Sequence, residues 1–202
     1  MSKQNCLIIF TRKPELGKVK TRLAKGVGDE FALKIYEYLL EHTAKITSQV
    51  NAHKQVWYTN EIVKDDIWDD KIFKKHVQIE GDLGEKMRFV FEEAFKSGFV
   101  NVLIIGSDLL DIGQDMINDA FEYLNQREVV VGPAKDGGYY LLGMNHFIPE
   151  VFEDINWSTS QVFQQTLDRI SKKTVAILDE KNDIDFKEDA MEHEELKRLI
   201  NF

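Results

Sequence analysis

Two stretches of the chain, Val102-Leu103-Ile104-Ile105 and Val129-Val130-Val131, are apolar at every position and lack the alternation of a half-wetted strand. Strands of that kind need cover on both faces, which helices packed above and below a sheet supply. The rest of the sequence offers those helices. Short apolar segments at 5–11, 54–60, 76–80, 101–106, 128–132, 139–144 and 173–178 alternate with amphipathic segments at about 28–48, from Asp82 onward, and at 114–126, 158–171 and 186–200. The pattern predicts an α/β fold, a mostly parallel sheet between two helical layers. With 202 residues, 43% hydrophobic content and no Pro/Gly/Ser-rich linker or repeat, residues 1–202 read as one domain with a full core.

The helix after Asp82 is the clearest, because Leu83, Met87, Val90, Phe91, Ala94 and Phe95 fall on one stripe. Asp82 and Glu85 have the spacing of a capping box. Ser158 and Gln161 have it too, with Trp157 and Val162 placed as the flanking staple.

Charge is distributed very unevenly. The segment Arg12 to Lys25, RKPELGKVKTRLAK, carries a net +5, whereas the whole chain carries −9. A basic loop at the end of a strand, with Gly17 for backbone access and a helix to follow, is how α/β proteins hold phosphates. Arg12, Lys13, Lys18, Lys20 and Arg22 are therefore candidate phosphate ligands, the alternative being a merely solvated loop. Walker A chemistry is excluded by spacing, since Gly17-Lys18-Val19-Lys20-Thr21 lacks the first glycine, and no G-x-G-x-x-G follows a strand. The acidic balance, with pI about 5.1, argues against nucleic acid as a partner. Five scattered histidines make no zinc pattern. The apolar run Cys6 to Phe10 is too short for a signal core or a membrane span, and one cysteine cannot form an internal disulfide, so a cytoplasmic protein with a buried structural thiol is expected.

Three clusters fall at strand ends, where open α/β sheets place ligands. Asp108, in Gly106-Ser107-Asp108, follows the most apolar strand and is placed to hold a divalent cation bridging phosphates; as an isolated motif it reads first as a cap of the helix or turn that follows. Asp136-Gly137-Gly138-Tyr139 is a hairpin signal, with glycines expected at positive φ, and also a place where a substrate could approach the backbone and where Asp136 could orient or deprotonate a hydroxyl. Asp183 and Asp185 alternate to one side of an extended segment and could share a cation with Asp108, although Asp185 with Glu188 also has capping-box spacing. Carboxylates within about 4 Å of each other would repel by roughly 1 to 4 kcal/mol, a cost that bound Mg²⁺ or Mn²⁺ would remove.

In this order, the stretches Lys13-Pro14 through Gly17, Val19 to Leu23, Gly81 to Met87, Gly106 to Asp108, Gly132 to Tyr140, Trp157 to Thr159 and Asp183 to Asp185 with Glu188-Asp189 span about residues 7–190. Together they resemble the glycosyltransferase-like, radical-SAM/selenodomain-associated transferases of the nucleotide-diphospho-sugar transferase superfamily. The resemblance implies a type A glycosyltransferase fold, a three-layer α/β/α sandwich with a mostly parallel mixed sheet. It implies that the first loop, with Gly84 and Glu85, faces the nucleotide and its phosphates and that Asp108 is the metal aspartate. Asp136, Gly137, Gly138, Tyr139, Trp157, Ser158 and Thr159 would line the acceptor side. Leu109-Leu110 and Phe186-Lys187 depart from the family pattern beside the proposed metal ligands.

The expected activity is a Mg²⁺- or Mn²⁺-dependent glycosyl or nucleotidyl transfer from a nucleotide sugar or nucleoside triphosphate to a small acceptor. Asp108, Asp136, Lys20 and Arg22 would be its catalytic residues. Lys135 is the one cation adjoining the Asp-Gly-Gly turn, which favours a hydroxyl acceptor over a phosphate. A nucleotide-binding regulatory module without turnover is the competing reading.

Overall fold

The computed structural model describes residues 5–200. Its strands are β1 (Asn5–Thr11), β2 (His53–Tyr58), β3 (Phe73–Val77), β4 (Asn101–Ile105), β5 (Val129–Pro133), β6 (Tyr139–Met144) and β7 (Val175–Ile177), in the sheet order β3-β2-β1-β4-β6-β5-β7. β6 is antiparallel to β4 and β5, and every other pairing is parallel. The helices are α1 (Thr21–Val27), α2 (Asp29–Ser48), α3 (Leu83–Lys96), α4 (Gln114–Tyr123), α5 (Val162–Arg169), α6 (Lys187–Ala190) and α7 (Glu194–Ile200), with a 3-10 turn at Pro149–Phe152.

The continuously apolar strands are covered on both faces because their alternate residues go to different layers. Leu7, Ile9, Leu103 and Ile105 pack with Tyr36 and Leu40 of α2 and Ile117 and Phe121 of α4. Cys6, Ile8, Val102 and Ile104 pack on the opposite side with Met87, Val90 and Phe91 of α3. The result is a three-layer α/β/α sandwich with a mixed, mostly parallel sheet. Cys6 is fully buried, and burial pushes its thiol up to about 12, as a structural cysteine requires. A third apolar cluster joins Leu23 of α1 and Ile35 and Leu39 of α2 to Ile184, Ala190 and Leu196. That cluster matters for the site, because it brings residues 183–185 back against the start of α1.

Several boundaries differ from the sequence-based expectation. β3 begins at Phe73 rather than 76, anchored by the edge-to-face contact of Phe73 with Trp68. α5 begins at Val162, and Ser158 does not cap it: its backbone is left-handed at φ 62, and the cap position, Gln161, makes no side-chain cap bond. The expected final helix is two helices, and Asp185 is not the cap of the first. The Asp189 carboxylate closes that end instead, accepting the N–H groups of Asp185 at 3.0 Å and Phe186 at 2.7 Å. α1 was not expected at all. The Asp82–Glu85 capping box is present, each carboxylate accepting the other residue's N–H at 2.9 Å.

The Asp-Gly-Gly segment joins β5 to β6 as a hairpin. Of the two glycines only Gly137 takes positive φ, at 89°. A Cβ there would lie 2.1 Å from the Ser160 carbonyl oxygen, so the turn needs glycine both for conformation and for the close approach of the 158–161 segment.

Candidate functional site

The C-terminal ends of β1, β2 and β4 and the start of β6 open on one cleft of about 700 Å³. Its charged centre is built from three separate parts of the chain. Lys20, just before α1, holds a left-handed backbone at φ 46 and sends its side chain, only 4% exposed, between two carboxylates. Its ammonium donates to Asp108 Oδ2 at 3.0 Å and to Asp185 Oδ1 at 3.1 Å, and Arg22 donates to the other Asp185 oxygen at 3.2 Å. Burial opposes the charge on Lys20, but Asp108 and Asp185 outweigh it and the pKa is raised. Asp108 is thus an ion-pair partner and not a helix cap; the cap position of α4 is Gly113, which has no side chain to cap it. Beneath it, the Ser107 hydroxyl donates to Thr11 Oγ1 at 3.3 Å and ties the ends of β4 and β1 together.

Asp183 lies at the same end of the site. Burial raises its carboxyl to about 7, Asp108 adds to the rise, Lys20 opposes it, and Asp136 and Asp185 contribute further repulsion. Two carboxylates, Asp108 and Asp185, contact the buried ammonium, and Asp183 feels the charges around it without a hydrogen bond to Lys20. Among the described residues no three His, Cys, Asp or Glu side chains come close enough to cage a metal ion by themselves. An all-oxygen pair completed by substrate phosphates is, however, the usual setting for Mg²⁺, so the donor set fits that ion.

The remaining basic-loop residues are dispersed. Arg12 lines the cleft; its N–H donates to the Tyr36 hydroxyl at 3.1 Å and its guanidinium to the Lys18 carbonyl at 3.4 Å. Lys13 and Lys18 lie in a neighbouring hollow, paired with Glu61 at 2.9 Å and with Glu15 at 3.3 Å. Gly17 is an exposed turn residue at φ 72.

The expected acceptor residues also divide. The Tyr139 ring lines the cleft, but its hydroxyl is buried on the α5 side near Thr166, where neither makes a hydrogen bond among the described residues, and burial pushes its pKa up. Asp136 is exposed and accepts the Gly138 N–H at 2.8 Å, holding the turn. Trp157, Ser158 and Thr159 line a second hollow with Asp82, outside the main cleft. Gly84 is buried under the Trp157 indole, where a Cβ would come within 2.1 Å of Nε1, and Glu85 is committed to the capping box. Both residues shape the start of α3.

Sequence reasoning missed Lys86. It lines the cleft from the first turn of α3 beside Leu83 and Met87. Positions 83, 86 and 87 share a helix face, but a lysine there, with Arg88 two residues on, does not stand out in the sequence.

Residues 42–159 match a family described as an uncharacterized protein conserved in bacteria, DUF2064. No curated protein matches this chain. Among solved structures, a candidate nucleotide-diphospho-sugar transferase of Desulfovibrio desulfuricans G20 is 31% identical, with TM-score 0.83 over 92% of this chain and 84% of that one. Two more distant proteins share the fold. A 4-diphosphocytidyl-2C-methyl-D-erythritol synthase from Anaerococcus prevotii DSM 20548 is 11% identical, with TM-score 0.62 over 97% of this chain and 99% of that one. A CMP:2-keto-3-deoxy-manno-octonic acid synthetase complexed with CTP is 9% identical, with TM-score 0.59 over 95% and 99%.

Proposed function

We propose that this chain, which belongs to the DUF2064 family, is a transferase that binds a nucleoside triphosphate or nucleotide sugar in the 700 Å³ cleft and passes a nucleotidyl or glycosyl group to a small acceptor. The observation that carries this reading is the convergence of Lys20, Arg22, Asp108 and Asp185 at the ends of β1 and β4. The same fold in a 31% identical candidate nucleotide-diphospho-sugar transferase supports it, as does the CTP-bound synthetase with that fold. The finer affinity with radical-SAM/selenodomain-associated transferases rests on motif order alone.

In the nucleotidyl version an acceptor oxygen forms a bond to the α-phosphorus, the bond from that phosphorus to the bridging oxygen breaks, and pyrophosphate leaves. In the glycosyl version the acceptor oxygen bonds to the sugar carbon and a nucleoside diphosphate leaves. Either way negative charge grows on the departing phosphates, and Lys20, Arg22 and Arg12 are cations at the cleft that would stabilise it. Asp108 and Asp183, with Asp185, would hold Mg²⁺ or Mn²⁺, which supplies further positive charge to those phosphates. A hydroxyl acceptor would need a base, for which Asp136 is the candidate.

Titration calorimetry with a panel of nucleotides and nucleotide sugars, with and without Mg²⁺, followed by a product assay, tests the proposal. Metal-dependent binding with pyrophosphate or nucleoside diphosphate release supports it. Tight binding with no product under any acceptor points to a regulatory module, and no binding removes both readings.

A further inference from the structure

We infer that Lys20 holds the place of the divalent cation while the cleft is empty, and that its ammonium passes to the nucleotide's phosphates when metal and nucleotide arrive together; this rests on the transferase reading above. The site then admits the metal–nucleotide complex and not the bare ion.

The Lys20 ammonium lies 3.0 Å from Asp108 Oδ2 and 3.1 Å from Asp185 Oδ1, between two of the carboxylates assigned above to the metal. Arg22 takes the remaining Asp185 oxygen at 3.2 Å. Mg²⁺ draws its oxygen ligands to about 2.0–2.1 Å in an octahedral shell. The same two oxygens cannot close on such an ion with an ammonium between them, so Lys20 has to leave before the metal is held.

Charge decides when it leaves. Asp108 and Asp185 carry −2 and Lys20 with Arg22 carries +2, so the four side chains already sum to zero. A bare divalent cation would displace the ammonium into a cleft whose described lining offers no other carboxylate. A metal–nucleotide complex brings its own phosphates, and these give the ammonium a new charge-assisted partner.

The exchange needs only a side-chain rotation. The Lys20 side chain is 4% exposed yet lines the cleft, and among the described residues its only side-chain partners are the two acids. Its backbone is anchored independently: Val19 and Leu23 are buried, and the Lys20 carbonyl accepts the Ala24 N–H at 2.8 Å. Swinging the flexible stem therefore releases both carboxylates and leaves α1 in place. Lys20 is thus a positioning residue for the two acids in the empty site and a phosphate ligand in the filled one.

The test reads metal binding on the full chain. MnCl₂ alone is titrated into wild type, Lys20→Met and the double variant Lys20→Met/Asp108→Asn, with free Mn²⁺ followed by its electron paramagnetic resonance signal. Lys20→Met should bind Mn²⁺ about tenfold or more tightly than wild type, the scale of one charged contact, and adding Asp108→Asn should abolish the gain. Mn²⁺ should accordingly raise the Tm of Lys20→Met and not that of wild type. Mg²⁺ with the best-binding nucleotide of the panel should instead bind Lys20→Met about tenfold more weakly than wild type, because the phosphates lose the ammonium. A merely structural lysine would weaken both. Lys20→Gln, whose amide still donates to a carboxylate, should show the same opposite shifts and takes over if the methionine variant does not fold. Mn²⁺ affinity equal in wild type and variants, or a gain that survives Asp108→Asn, would overturn the inference. If Lys20→Met gains Mn²⁺ but wild type binds no nucleotide, the transferase reading falls and the cation site held by Lys20 stands. If wild type turns a nucleotide over and no variant gains Mn²⁺, the inference alone falls.

Discussion

At the scale of single residues, the site is an arrangement of unequal ion pairs. Lys20 is nearly inaccessible while its two partners keep a third or more of their side chains in solvent. Removing Lys20 therefore costs more than removing either acid. Lys20→Met should lower stability by about 1 to 3 kcal/mol, because Asp108 would lose its cation and face Asp185, which Arg22 alone would then neutralise. Asp108→Ala leaves Lys20 paired with Asp185 and should cost about 1 kcal/mol or less in chemical denaturation, yet weaken metal-dependent nucleotide binding in calorimetry; the reverse order of stability losses would contradict this geometry. Asp183 supplies a pH signature. Its carboxyl titrates near 7 in the fold against an ordinary value of 3.8, so folding favours its protonated form. The cost of ionising it is absent below about pH 4, grows as pH rises toward 7, and is constant above. In metal-free buffer, Asp183→Asn should match wild type in urea melts at pH 4 and exceed it at pH 8. Equal midpoints at both pH values would show that the carboxyl is not held out of water.

At the scale of elements, the contact between α3 and the 156–161 segment decides a sign. In an exposed helix Gly→Ala stabilises by about 0.5 to 1 kcal/mol. Gly84→Ala should instead destabilise by about 1 to 3 kcal/mol, since its Cβ would overlap the Trp157 indole. Adding Trp157→Ala to that variant should recover part of the loss, measured by urea midpoints; a stabilising single substitution would mean that the ring yields freely. This contact was not legible in the sequence. Residues 84 and 157 are far apart, and Ser158 with Gln161 imitates a capping box, whereas the real constraint is the passage of Ser160 over Gly137. The strands were legible because doubly covered strands must be apolar at every position, and the Asp82–Glu85 box because both partners lie within one turn. Asp108 was legible by its place after β4. The pairing of Lys20 with Asp185, 165 residues away, was not, because it depends on α1 and residue 184 packing against α2. Lys86 went unread because a single cation beside an apolar stripe has the composition of any helix surface.

At the scale of the whole molecule, one continuous sheet carries both helical layers, and β6, antiparallel between β4 and β5, links its two halves. No part of the sheet can open without stripping cover from the rest, so calorimetric and van't Hoff enthalpies of unfolding should agree; a second transition would mean that β5, β6 and β7 melt separately. No described helix is long and apolar enough to cross a membrane. The sheet also determines the location of the chemistry, since the β1 and β4 ends bring a cationic loop and a carboxylate to a single opening. The most direct test of that claim is a crystal structure of the protein soaked with CTP and Mg²⁺. The phosphates are predicted to lie in the cleft, bounded by Lys20 and Arg22 with Asp108 within reach of the cation. Nucleotide density on another surface, with Lys20 still closed on Asp108 and Asp185, would contradict it.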